Sequence, residues 1–209
     1  LLAAVYLAQL RFPELLRYAG LWSDHPHGWQ YFTNGFLSGN WIHLLFNAGG
    51  MWVVCSQFAR QIRIGFLLLY FTLFSALASF LYLHFLMPPH AWLVGASGGV
   101  YALMGFLCWL ERRDRVCFFG LRRLSLPFPQ AMLLLLGLEF LVATFWIPVL
   151  AWPVHVIAFA VSMVTAMTAH AVYALARWLA EHRRCFEPGA FILGKMKAGV
   201  VCHPTETEM

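Results

Sequence analysis

Charge is what this sequence has least of. Across its 209 residues Asp, Glu, Lys and Arg make up 11%, where an ordinary soluble domain carries about 25%. Acidic residues are scarcer than basic ones, 9 against 14, and hydrophobic residues fill the space at 61%. That shortage excludes an ordinary soluble domain. Several apolar runs approach the roughly 20 residues that cross about 30 Å of hydrocarbon. The chain reads as a polytopic membrane protein, and since open sheets leave backbone groups unpaired in lipid, the expected fold class is an all-α helix bundle.

Disulfide-forming cysteine is missing from the places that would need it. The 5 cysteines are Cys55, Cys108, Cys117, Cys185 and Cys202, and all fall within apolar spans or on their basic side, so structural disulfides are not expected. His182, Cys185, Cys202 and His203 fit no usual zinc spacing. No metal and no cofactor is expected.

Six spans can be read: residues 1–10, 41–58, 64–86, 97–110, 129–146 and 153–179. Ten residues at about 1.5 Å each reach only about 15 Å, and the chain has no initiator Met, so the first span is expected to be truncated. Residues 1–180 are expected to form the membrane domain. Residues 181–209 are expected to be a poorly ordered cytoplasmic tail with a short apolar patch at 190–193. The aromatic stretch 11–40, with Glu14, Arg17, Asp24 and Pro26, suits a loop dipping into the outer interface.

Basic residues set the orientation. All but Arg11 and Arg17 of the 14 Lys and Arg fall on one side, at positions such as Arg60, Arg63, Arg112, Arg122, Arg123 and Lys195. The positive-inside rule places that side in the cytoplasm. Topology thus accounts for the net charge of +5, and no nucleic-acid partner is implied.

Three polar pieces then share the opposite half of the membrane. Ser97 lies within Gly95-Ala96-Ser97-Gly98-Gly99, His155 lies near the start of the last span, and His43 and Asn47 lie four apart on one helical face. About 15 residues separate Ser97 from Arg112, about 22 Å of helix, and about 13 separate Asn47 from Arg60, about 20 Å. His155 fits this level less closely, about 33 Å before Arg177. Reactive groups at membrane depth point to function, and a serine with a histidine makes a nucleophile and its base.

Trp41-Ile-His-Leu-Leu-Phe-Asn47, Gly95-Ala-Ser-Gly-Gly-Val-Tyr-Ala-Leu-Met-Gly105 and the histidine-bearing last span resemble the rhomboid family of intramembrane serine proteases, in its six-span bacterial form. The likeness covers residues 29–179. It implies a multi-pass protein of the bacterial inner membrane, with the active site on the extracytoplasmic side. Its partners would be membrane lipid and transmembrane protein substrates.

By the same resemblance Ser97 would be the nucleophile and His155 its general base. The Ser97 backbone N–H, Asn47 and His43 would form the oxyanion hole. Tyr101 would stack on His155, Gly95 would belong to the serine motif, and Gly98 would let the His155 helix approach closely. With no Asp or Glu near His155 in sequence, a dyad is implied rather than a triad. Glu139 is expected to be protonated or hydrogen-bonded to a neighbouring helix, and not catalytic.

Where the family usually carries Trp-Arg this chain has Trp29-Gln30, and where the last span usually carries glycines it has Ala158 and Ser162, with Val154 before the histidine.

Other readings stand beside these. Ser97 also suits a helix cap, His43 and Asn47 suit polar glue between spans, and His155 and Tyr101 each suit plain packing. His84, His90 and His170 match no motif and read as structural. The alternative function is a catalytically silent rhomboid-like binder of transmembrane clients, which would normally lack the serine or histidine. A transporter would show paired broken helices, and none is evident.

Overall fold

The computed structural model describes residues 1–58, 62–113, 115–117, 125–145 and 151–181. The expected tail, its apolar patch, the His182–His203 cluster, and Arg60, Arg122 and Arg123 lie outside the described residues. The molecule is mostly helical and divides into two compact units, Leu1–Met167 and Thr168–Met209. In chain order the helices are α1 (Leu2–Arg11), α2 (Glu14–Ala19), α3 (Gln30–Thr33), α4 (Trp41–Phe58), α5 (Ile64–Phe85), α6 (Ser97–Leu110), α7 (Phe128–Phe145) and α8 (Trp152–Glu181).

Two short antiparallel pairs qualify the all-α expectation. β1 (Leu21–Trp22) pairs with β2 (Trp92–Leu93), Leu21 opposite Leu93, and β3 (Arg115–Cys117) pairs with β4 (Ser125–Pro127).

By length and composition α5, α7 and Trp152–Ala180 of α8 can cross a membrane; α4 and α6 carry shorter apolar stretches, Trp41–Cys55 and Ser97–Leu110. The outer faces of α5 and α7 leave Leu69, Leu73, Leu133 and Leu138 exposed, as helices in lipid do. A rim of apolar side chains on this scale belongs against hydrocarbon, not water. The protein is an integral membrane protein.

The core helix is α6. It is apolar all round and buried on most of its surface, which marks a helix enclosed by others. Small residues make that enclosure possible. A methyl on Gly99 would collide with the Phe71 ring of α5, and one on Gly105 with the Phe159 backbone of α8. Ser162 of α8 donates to the Ala102 carbonyl of α6 and also bonds the Tyr70 hydroxyl of α5 at 2.7 Å. Three helices are thereby tied at one fully buried serine. The Ser162 hydroxymethyl acts as a fastener.

The stretch between α1 and α4 is ordered, and Asn34 is its hub. Its amide donates to the carbonyls of Gln30 and Tyr31 at 2.6 and 2.9 Å, Ser79 donates to its side-chain oxygen at 3.2 Å, and the Gly95 N–H donates to its carbonyl at 3.0 Å. Gln30 anchors the loop by neutral bonds, accepting from the His27 N–H and donating to the Tyr18 carbonyl. At its far end Gln9 and Ser38 exchange hydrogen bonds of 2.9 and 3.1 Å. The loop therefore reaches from α1 to the turn that precedes Ser97.

Candidate active site

Ser97 is the first residue of α6 and remains partly accessible. The chain enters the helix through Gly95, whose φ of +142° is a conformation that side chains disfavour. A methyl there would stand 2.7 Å from His43 Cε1 and 3.3 Å from Ser97 Oγ. Only a bare residue leaves room for the His43 ring beside the serine oxygen. At the helix start, free N–H groups and the positive end of the dipole face the same space.

His155 comes to this serine from α8. Its Nε2 lies 2.6 Å from Ser97 Oγ, within proton-transfer reach. The ring is buried and stacks on Tyr101 at 4.6 Å with an interplanar angle of 8°. Tyr101 is one turn below Ser97, so α6 presents both the hydroxyl and the platform for the ring. Ser97, Tyr101 and His155 are thus brought together.

His43 and Asn47 follow one another along α4. The His43 backbone N–H is taken by Asn40 Oδ1 at 2.8 Å, a side-chain cap that begins the helix. His43 Nδ1 accepts the Gly39 N–H at 3.2 Å, so its proton sits on Nε2, on the side facing the Gly95 turn. Asn47 is buried, and among the described residues its Nδ2 has no hydrogen-bond partner. An unpaired buried donor is costly, unless a reacting oxygen is meant to complete it.

Gly98 differs from expectation. A methyl there would meet Ser75 of α5 at 3.5 Å, an ordinary contact, and nothing of α8. The glycine against the His155 helix is Gly105, two turns further on. Seven residues apart, the two glycines share nearly one face of α6, and the neighbour on that face changes along the helix, from Ser75 of α5 at Gly98 to Phe159 of α8 at Gly105. Ala158 and Val154 are buried in one cluster with Ala102 and Leu21.

Glu139 is the residue that spacing alone did not place. It is hydrogen-bonded to a neighbouring helix, as expected, and its partner is His155 Nδ1. Its one available signal was its isolation as the sole charged residue of an apolar helix, where a carboxyl demands a partner. A cavity of about 430 Å³ opens elsewhere, lined by Arg17, Tyr18, Asp24 and Trp29 among others, and none of Ser97, Tyr101, His155, His43, Asn47 and Glu139 lines it. Cys55 and Cys108 are free thiols, and the described residues hold no His, Cys, Asp and Glu cluster fit for a metal.

Comparison with known proteins places the chain in a family. The Rhomboid domain family matches residues 25–172. The rhomboid protease GlpG of Klebsiella pneumoniae subsp. pneumoniae is 36% identical over 86 residues, 41% of this chain and 30% of that protein. GlpG of an Enterobacter species is 36% identical over 83 residues, 40% and 29% of the two chains. GlpG of Salmonella newport is 31% identical over 86 residues, 41% and 30%. The matched stretch spans less than a third of each of these relatives. The family match takes in most of the chain, Ser97 and His155 among it, and the chain belongs to the rhomboid family.

Proposed function

We propose that the protein is an intramembrane serine endopeptidase, cutting peptide bonds in or beside transmembrane helices of other membrane proteins. The observation that carries the reading is the 2.6 Å approach of His155 Nε2 to Ser97 Oγ. Ser97 attacks the scissile carbonyl carbon while His155 takes its proton and passes it to the leaving amine. Water, deprotonated by the same ring, then attacks the acyl ester and returns Ser97 to its starting state. The Ser97 N–H, Asn47 Nδ2 and His43 Nε2–H supply the oxyanion hole.

Six helices serve as spans in this reading: α1, α4, α5, α6, α7 and α8. The basic loops face the cytoplasm and the active site faces the extracytoplasmic side of a bacterial inner membrane. The 14 residues of α6 reach only about 21 Å, so Ser97 lies below the surface of a core about 30 Å thick. A substrate helix must unwind to expose its carbonyl, which residues with poor helix propensity favour.

The test is reconstitution with a generic single-span substrate beside the Ser97→Ala protein. Cleavage by the parent chain and none by the variant is expected. Equal cleavage by both refutes the assignment.

A further inference from the structure

Glu139 stands in α7 among leucines, and its side chain is only 12% exposed, that of His155 only 6%. One carboxyl oxygen meets His155 Nδ1. The other is buried and, among the described residues, without a hydrogen-bond partner. Phe140, the next residue, packs edge-on against Trp152 of α8 at 5.0 Å, which holds the two helices in the register this contact needs. A carboxyl group is expensive at membrane depth, and a neutral residue would fill the same space without that cost. What a neutral residue cannot supply is negative charge at the far nitrogen of the base.

We propose that Glu139 is a positioning residue for His155, making the site a Ser97–His155–Glu139 arrangement. The proposal rests on the protease reading above. For Nε2 to accept the Ser97 proton, the neutral ring must carry its own proton on Nδ1. Donation from Nδ1–H to Glu139 selects that tautomer. Tyr101 stacked on the ring fixes its plane, and Glu139 fixes its rotation within that plane. When Ser97 attacks, the proton moves from Oγ to Nε2 and the ring becomes an imidazolium. Glu139 stays a carboxylate and stabilises that cation, an attraction much stronger in a buried site than in water.

The test uses the full chain in proteoliposomes with a single-span substrate, and a fluorophosphonate as a substrate-independent probe of Ser97. The Ser97→Ala protein separates the two ideas. If cleavage and labelling survive in it, the protease reading fails, whatever Glu139 does.

With that control silent, Glu139→Gln keeps size and removes charge. It is expected to lower both kcat and labelling rate about a hundredfold or more, with KM and unfolding temperature unchanged. Glu139→Asp should recover part of the rate. A Gln protein within about threefold of the parent kcat overturns the proposal. So does a loss of rate that only follows a loss of folded protein. If the Gln protein is not recovered folded, the Asp protein decides: measurable activity well above background supports the proposal, and a folded but silent protein overturns it.

Discussion

Gly105 offers the sharpest test of how the Ser97–His155 pair is held. It lies two turns below Ser97 on α6, and a methyl there would run into the Phe159 backbone, one turn beyond His155 on α8. A backbone atom cannot rotate aside, so Gly105→Ala must push the two helices apart by about 1 Å, a displacement that can cost about a hundredfold in rate. The 2.6 Å contact between His155 Nε2 and Ser97 Oγ then opens to about 3.5 Å, outside the roughly 2.6–3.2 Å reach of proton transfer. Overpacking should cost about 1–3 kcal/mol of stability, offset by up to about 1 kcal/mol from the better helix propensity of alanine. Activity should therefore fall far more than stability.

Gly137→Ala on α7 is the control, because a methyl there meets nothing. It should keep full activity and gain up to about 1 kcal/mol. Cleavage kinetics and thermal unfolding in detergent read both variants. A Gly105→Ala enzyme with parent-like kcat would mean that the α6–α8 contact does not position the base.

Three further outcomes follow from the same contacts. Asn47→Ala should lower kcat by about ten- to a thousandfold with KM little changed; because Asn47 Nδ2 is unpaired and buried, stability should not fall, and a purely KM effect would make Asn47 a substrate contact. Ser162→Ala removes the bond to Ala102 and leaves the Tyr70 hydroxyl only a long 3.5 Å bond to the Ser162 carbonyl, so unfolding measurements should show a loss of about 1–3 kcal/mol, and an unchanged unfolding temperature would refute the fastener role. Beside the β1–β2 pair, hydrogen bonds from the His90 ring and backbone N–H hold the Asp24 carboxyl below the usual carboxylate range. The folded value being depressed, the small contribution of this pair is present above the unfolded value near about 4 and fades as pH falls through the folded one. Asp24→Asn should therefore loosen the β1–β2 junction to limited proteolysis at neutral pH and make no difference in strong acid, whereas an equal effect at both would refute the ionic reading.

Much of this protein was readable along the chain because its signals are local. Apolar run length marked the helices, since crossing hydrocarbon needs a set number of residues at a set rise. His43 and Asn47 announced themselves by helical spacing within one segment, where one turn already puts two side chains on one face, Ser97 by its glycine-flanked motif, and Tyr101 through the family resemblance. His155 was found because a histidine near the start of an apolar span is conspicuous. Ala158 and Ser162, one turn apart on α8, are both buried.

Other features depended on where helices cross one another, and that is a property of packing. Gly98 and Gly105 look alike in sequence, yet one faces Ser75 of α5 and the other the Phe159 backbone of α8. Ser162 reads as a mere substitute for glycine until Tyr70 and Ala102 are brought to it from two other helices. Asn34 sits in an irregular stretch with no periodicity to betray it, and becomes a hub only when Ser79 and Gly95 arrive. Glu139 and His155 lie on separate helices with a connection between them, so no single-helix spacing rule links them. Sequence alone determined which segments are helices and pointed to the residues proposed to carry chemistry, because those follow from length, apolarity and residue type. Tertiary structure decided which faces meet, because side-chain volume and burial of polar groups are satisfied only when the whole bundle closes.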